Sequence, residues 1–347
     1  MSVLEEDLLY CAQKIPSVFY GTNFFVTGST GLIGSLLVKS ILKADEIKKA
    51  GINVYALARS PSKVDEVFSS YESNPYLHFV YGDVLSPVIL EDKIDYIVHA
   101  ASQTASKEMV LHPVETSKVA LDGTMNMLDF AVSKKVRGFV YLSSMEAFGK
   151  CSSKEERLSE NDLGKIDLTS VRSCYSESKR MCELLCTCYA QETGLDVKIA
   201  RLAQVFGAGI SKNENRVFAQ FAFSALNGKD IVLHTDGTSW GNYCYTSDVI
   251  SALFTILEKG KSAECYTVVN EETSRMIKDM ASLVIKVSGN STSKLVFDIP
   301  KDEAKFGYAP KTEMKLSSEK LRSLGWSVNF SLEEMYKRLF SYIKEEF

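Results

Sequence analysis

Apolar positions in the first 200 residues fall into short continuous runs, separated by stretches in which they recur at helical spacing. The runs predict strands at Asn23–Thr27, Asn53–Ala58, Leu77–Tyr81, Tyr96–Ala100, Gly138–Ser143 and Val197–Leu202. The spacing predicts helices over Met109–Lys134 and Tyr175–Thr193, and an amphipathic helix from MSVLEEDLLYCAQKI packed on the outside of the domain. Continuous apolar strands alternating with helices mean a parallel sheet covered on both faces. Beyond Phe206 the pattern loosens. It predicts a helix at Asn215–Asn227, a strand at Ile231–His234, a turn at Asp236-Gly237, and strands at Tyr243–Thr246 and Tyr266–Val269. Helices at Ser247–Leu257, Thr273–Ser288, Ser317–Leu324 and Leu332–Tyr342 interleave with them. The expectation is an α/β chain: a helical extension over 1–22, a parallel-sheet domain over 23–205, and a smaller domain over 206–347, whose segments around 243–270 return to the first.

The stretch NFFVTGSTGLIG, Asn23 to Gly34, carries the first chemistry. Gly28, Gly31 and Gly34 follow a strand and open a helix at the spacing G-x-x-G-x-x-G. Three glycines serve a tight turn, a backbone close enough to a pyrophosphate to donate N–H bonds, and close helix–strand packing. The helix N-terminus adds partial positive charge. Gly28, Thr30, Gly31, Leu32, Ile33 and Gly34 are therefore expected to hold a dinucleotide's phosphates. Where an acid after the second strand would bond a ribose 2′-hydroxyl, NVYALARSPSK offers Arg59, with Lys63 four residues on. An arginine suits a 2′-phosphate, so NADP is favoured over NAD. Asp83 and Val84, in VYGDV, are placed at the adenine, and small Ala100 and Ala101 let the cofactor pass close to the backbone.

Composition narrows the partners. At 347 residues the length suggests about two domains. Hydrophobic residues make up 45%, charged residues 24%, and the net charge is −4 with no basic patch, which argues against nucleic acid. No run of eighteen apolar residues or charged-then-apolar leader occurs, so neither membrane span nor signal peptide is expected. Eight cysteines without a leader suit a reduced, cytoplasmic protein. Cys182, Cys186 and Cys188 cluster in RMCELLCTCYA with no histidine nearby, and are expected to be buried thiols rather than metal ligands.

Tyr175 and Lys179 form Y-x-x-x-K, one turn apart on one helical face. Tyrosine ionises near pH 10, so a neighbouring ammonium that favours the phenolate helps make it a base. Ser144, in SSMEAFG at the end of the fifth strand, can hydrogen-bond a substrate hydroxyl and share its proton with Tyr175.

These three elements resemble, in order and spacing, the extended short-chain dehydrogenases/reductases, and more narrowly the nucleotide-sugar epimerase/dehydratase family. ARLAQVFGAG is similar to that family's R-x-x-N-x-Y-G-P-G, and KLRSLGW with SLEEMYKRL to its usual tail. The resemblance implies a Rossmann-type NAD(P)-binding domain, a smaller substrate-binding domain, and a nucleotide-sugar substrate whose C4 hydroxyl loses its proton to Tyr175 while hydride moves to the nicotinamide. Glu146 stands where decarboxylases and 4,6-dehydratases carry an active-site glutamate, and Met145 where many dehydratases carry an aspartate. Arg172, in RSCYSESKR, resembles the R-x-C-Y-x-x-x-K-R of UDP-glucuronate decarboxylases. The implied catalytic set is Ser144, Glu146, Tyr175 and Lys179; the implied substrate contacts are Ser144, Met145, Glu146, Arg172 and Gln204. A UDP-glucuronate-decarboxylase-like step is expected, with a 4,6-dehydratase, a C4 epimerase or 4-keto reductase, and a non-catalytic cofactor-binding protein as alternatives. The resemblance also implies a homodimer through the Tyr175–Thr193 helix. The chain departs from the family at Gly241 (usually arginine), Gln204 (asparagine), Phe206 (tyrosine) and Ala120 (asparagine).

Overall fold

The computed structural model describes residues 1–151, 156–299 and 311–347. In chain order the elements are α1 (Val3–Lys14), β1 (Asn23–Thr27), α2 (Leu32–Lys48), β2 (Asn53–Ala58), α3 (Pro61–Phe68), β3 (Leu77–Tyr81), β4 (Tyr96–His99), α4 (Ser106–Leu111), α5 (Pro113–Lys134), β5 (Gly138–Ser144), α6 (Ser173–Thr193) and β6 (Val197–Leu202). There follow β7 (Gln204–Phe206), α7 (Val217–Leu226), β8 (Ile231–Leu233), β9 (Trp240–Tyr245), α8 (Thr246–Lys259), β10 (Cys265–Val268), β11 (Asn270–Met276), α9 (Ile277–Ser288), β12 (Leu295–Phe297), α10 (Glu319–Arg322) and α11 (Leu332–Glu346).

Seven strands form one parallel sheet in the order β3-β2-β1-β4-β5-β6-β10. The alternation of side chains divides each strand between two cores. Phe24 and Val26 of β1 join the face covered by α2 and α8, whereas Phe25 joins the face covered by α5 and α6. Strand order reverses between β1 and β4, and the carboxyl ends at such a reversal are where open α/β sheets bind ligands. A three-stranded sheet β7-β9-β11 and a parallel pair β8-β12 pack with α7, α9 and α11 around a separate core containing Phe206, Phe218, Tyr243 and Tyr336. Helix α8 and strand β10 belong to the seven-stranded unit. Helix α1 is more than an outer cover, because its buried Asp7 pairs with Arg338 of α11 at 2.8 Å and accepts the Tyr245 hydroxyl of β9 at 2.7 Å.

Several expected boundaries move, for local reasons. The helix expected over Met109–Lys134 breaks into α4 and α5 at His112, because Pro113 lacks an N–H and disfavours helical geometry in the residue before it. Thr273–Met276, expected to begin a helix, belong to β11: the Thr273 hydroxyl accepts from Tyr243 N and donates to Tyr243 O, both at 2.9 Å. Strand β9 starts at Trp240 and ends at Tyr245, and the helix expected over Ser317–Leu324 shortens to Glu319–Arg322. Strand β12 has no counterpart in the periodicity, since it is a short, exposed run. Cys182 and Cys186 are buried as expected, but Cys188 is exposed on the outer side of α6.

Asp248, in the first turn of α8, is fully buried and accepts from Asn329 N at 3.2 Å and Asn329 Nδ2 at 2.6 Å, tying α8 to the segment before α11. Burial pushes its carboxyl from 3.8 up to about 6. A raised carboxyl favours the folded state only while protonated, so this contribution is lost as pH rises through about 6. Asp248→Asn is permanently neutral. Its stability relative to the parent should rise by about 2 kcal/mol between about pH 4 and pH 7 in urea unfolding, and a constant difference would contradict the assignment.

Candidate active site

Gly28 and Gly34 leave no room for side chains. Gly28 has φ +63°, and a Cβ there would lie 2.8 Å from the Ala100 carbonyl and the Ala101 nitrogen. A Cβ on Gly34 would lie 2.2 Å from Gly28 O, so the first turn of α2 rests directly on the loop. Gly31 is exposed, with only Gly28 O near its Cβ position at 3.3 Å, and Thr30, Leu32 and Ile33 are half-buried around it. This backbone cradle fits a dinucleotide pyrophosphate.

Thr27 and His99 fix the turn from below. Thr27 Oγ1 accepts from Ala100 N and Ala101 N, both at 3.1 Å, so its own proton goes to His99 Nδ1, 2.7 Å away. His99 then donates through Nε2 toward Thr124, and burial, with the Lys179 charge, pushes it down to about 3, keeping it neutral. At the adenosine end, Arg59 is largely exposed and lies 3.7 Å from the half-exposed Asp83, while Val84 is buried against Gly123.

Tyr175 and Lys179 lie one turn apart on α6 and both are buried. Ser144 ends β5 and Met145 follows it; the Ser144 hydroxyl accepts from Glu146 N at 3.2 Å and lowers the Tyr175 phenol. The expectation that Lys179 draws Tyr175 toward phenolate is outweighed by burial. Burial, and next the Glu146 carboxylate, push the phenol up to about 12. Ser144, Arg172 and Arg216 pull it down by less. Lys179 instead donates from Nζ to Leu142 O at 2.8 Å, and burial lowers it to about 8.

Glu146 and Arg172 are brought together. Arg172 Nη2 lies 2.8 Å from Glu146 Oε1, and Ser176 donates to Glu146 Oε2 at 3.1 Å. The Arg172 guanidinium sits 5.7 Å from the centre of the Tyr175 ring, and its Nε and Nη1 are buried without a hydrogen-bond partner. Gln204 is exposed on β7.

Sequence reasoning missed Arg216, which precedes α7, chelates Glu214 at 3.0 and 2.6 Å, and acts electrostatically on Tyr175. No spacing links it to the Y-x-x-x-K pair. It also missed Arg180, which holds the loop after β5 by donating to Ala147 O at 2.6 Å, Phe148 O at 3.0 Å and Gly164 O at 2.6 Å. Its position one after Lys179 was the available signal.

The model of the NAD dependent epimerase/dehydratase family matches residues 24–270. Among similar proteins, UDP-glucuronic acid decarboxylase 6 of Arabidopsis thaliana is 26% identical over 87% of this chain and 90% of its own length. UDP-glucuronic acid decarboxylase 1 of Xenopus tropicalis is 26% identical over 96% of this chain and 76% of its own. Among solved structures, UDP-glucuronic acid 4-epimerase from Bacillus cereus, in complex with UDP-glucuronic acid and NAD, superposes with TM-score 0.76 and 24% identity, covering 94% of this chain and all of its own. A UDP-glucose 4-epimerase from Thermotoga maritima gives TM-score 0.78 at 23% identity, covering 93% and 99%. These likenesses confirm the Rossmann-type fold.

The Gly34 contact makes the cradle testable. Gly34→Ala drives a methyl into Gly28 O and should weaken NAD binding roughly tenfold or more in calorimetry while the protein stays folded. Unchanged affinity would show that the turn does not carry the cofactor.

Proposed function

We propose that this chain, which belongs to the NAD dependent epimerase/dehydratase family, oxidises C4 of a nucleotide-linked sugar and then decarboxylates it in the manner of a UDP-glucuronate decarboxylase. The Gly28–Gly34 cradle, Ala100, Ala101, Asp83 and Val84 would hold a nicotinamide dinucleotide, which would supply a hydride acceptor for C4. Tyr175 takes the proton of the C4 hydroxyl, Ser144 holds that hydroxyl in line, and Lys179 keeps positive charge one turn away. The phenol must fall from about 12 to work at neutral pH, and Arg172 and Arg216 already direct positive potential at it.

The carrying observation is Arg172. It stands beside Tyr175 with one fork on Glu146 and two further donors buried and unpaired, an arrangement that suits a carboxylate on the bound sugar. With C4 oxidised, a C6 carboxylate is β to a ketone. The C5–C6 bond then breaks with loss of CO₂, its electron pair passing into the C4 enolate, which is protonated at C5, and return of the hydride to C4 balances the earlier oxidation. Glu146, anchored by Arg172 and Ser176, is the carboxyl group positioned for that proton. Met145 and the exposed Gln204 border the sugar.

Arg59 supports a preference for NADP, since a largely exposed guanidinium at the end of β2 can meet a 2′-phosphate. A homodimer is supported by the outer face of α5 and α6. Val114, Met181 and Leu184 are exposed there beside an open groove of about 430 Å³ lined by Pro113, Leu121, Leu168 and Val171. All eight cysteines are free thiols, which fits a reducing, cytoplasmic setting. Among the described residues no helix is long and apolar enough to cross a membrane.

Mass spectrometry of products from a panel of nucleotide sugars tests the reaction. Loss of CO₂ from a UDP-uronate is expected; loss of water, a two-hydrogen change or an unchanged mass would replace decarboxylation with one of the other reactions. In the same assay Tyr175→Phe should cut turnover by about 10³-fold while NAD still binds, and substantial residual activity would remove the base assignment. Arg59→Ala should weaken NADP roughly 10- to 100-fold and NAD by only a few fold, and equal effects would refute the 2′-phosphate contact.

A further inference from the structure

Strand β5 carries an aromatic side chain that the proton-transfer chemistry leaves unassigned. Tyr141, three residues before Ser144, is buried in the core that also holds Cys182 and Cys186 of α6. The Lys179 Nζ lies 4.8 Å from the centre of the Tyr141 ring and 5.7 Å from that of the Tyr175 ring. The ammonium thus has two aromatic neighbours, and the one without a part in the reaction is the nearer.

Lys179 depends on such a neighbour because little else compensates its buried charge. Its Nζ donates to Leu142 O at 2.8 Å, and among the described residues no carboxylate forms an ion pair with it. Glu183, one turn on, is committed to Arg201 and Ser143. The other titratable groups facing the ammonium are Tyr175, Cys182 and Cys186 of α6 and His99 of β4. His99 is held neutral between Thr27 and Thr124, so it adds no second charge. A cation over an aromatic face is attracted by the ring quadrupole, and more strongly where water is excluded.

The position of the ring is set by the sheet. Tyr141 stands opposite His99 of β4 and Ile199 of β6, and its ring centre lies 5.8 Å from that of His99. The Tyr141 hydroxyl is buried and has no hydrogen-bond partner, so the ring face is what this side chain contributes. We infer that Tyr141 is a positioning residue for the proton transfer, its ring face holding the Lys179 ammonium beside Tyr175. This rests on the roles given to Tyr175 and Lys179 above.

Nuclear magnetic resonance of the Lys179 Nζ in full-length protein carrying isotope-labelled lysine tests it, the resonance being identified by its loss in Lys179→Arg. In the parent Lys179 should titrate near 8. Tyr141→Leu removes the ring and should lower that titration by roughly 0.5 to 1.5 pH units, whereas Tyr141→Phe keeps the ring and should restore the parent value. If Tyr141→Leu unfolds, Tyr141→Phe with the phenylalanine progressively fluorinated carries the test: fluorine drains the quadrupole while the ring keeps its shape, and the titration should fall stepwise. In the nucleotide-sugar assay the pH profile should move with it, Tyr141→Leu losing turnover on the alkaline side first as Lys179 gives up its charge earlier.

A Lys179 titration that stays put in these variants overturns the role of Tyr141 and leaves the nucleotide-sugar reading intact. A titration that moves while the pH profile does not overturns the link to proton transfer. A titration that moves as expected, in a parent protein that turns over no nucleotide sugar, upholds the hold on the ammonium and overturns the nucleotide-sugar reading.

Discussion

The bidentate pair between Glu183 of α6 and Arg201 of β6 sets the geometry on which the site depends. Its two contacts measure 2.6 and 3.1 Å, and both side chains are buried. Glu183 also accepts the Ser143 hydroxyl of β5, while Arg201 donates to Glu160 O at 3.1 Å and covers the Phe148 ring at 4.5 Å. Glu160 in turn accepts Thr267 N of β10 at 2.7 Å. One ion pair thus joins α6 to three neighbouring strands. Removing one partner of such a buried pair costs about 3–5 kcal/mol, because the other charge is left without compensation. Tyr175, Lys179 and Glu183 fall at i, i+4 and i+8 on one face, so the pair that anchors the helix also aims the two reactive side chains at the end of β5.

That arrangement explains why the sheet and the Y-x-x-x-K face were legible in the sequence. Strands such as Phe24-Phe25-Val26 are buried on both faces and read as unbroken apolar runs, and the glycine turn has steric demands that few other residues satisfy. The carboxyl-terminal half was less legible. Thr273 looks helical by its neighbours, yet its hydroxyl exchanges hydrogen bonds with the Tyr243 backbone, a pairing from thirty residues away that no local pattern reports. Pro113 did announce the break between α4 and α5, and apolar spacing alone concealed it.

The candidate site divides along the same line. Gly28, Ser144, Tyr175 and Lys179 are marked by local motifs, whereas Arg216 reaches the phenol only because α7 packs across the chain. The electrostatics were the least legible part. Spacing says that an ammonium lies one turn from a phenol, but not that burial dominates both, lifting the tyrosine to about 12 and lowering the lysine to about 8. Each shift disfavours the charged form, yet at neutral pH a lysine near 8 keeps its proton and a phenol near 12 keeps its own.

A pocket poised this way makes catalysis conditional on what enters it. Positive charge beside the phenol stabilises phenolate, and negative charge on the substrate compensates Arg172, whose two spare donors are otherwise buried unpaired. Substrate charge and base strength are then coupled through one guanidinium, which touches both Glu146 and the neighbourhood of Tyr175. An uncharged sugar would leave that guanidinium's spare donors unsatisfied, whereas an anionic one would complete the pairing while offsetting part of its pull on the phenol. On the proposed reading, a preference for an acidic sugar would follow from the same guanidinium whose charge lowers the Tyr175 phenol.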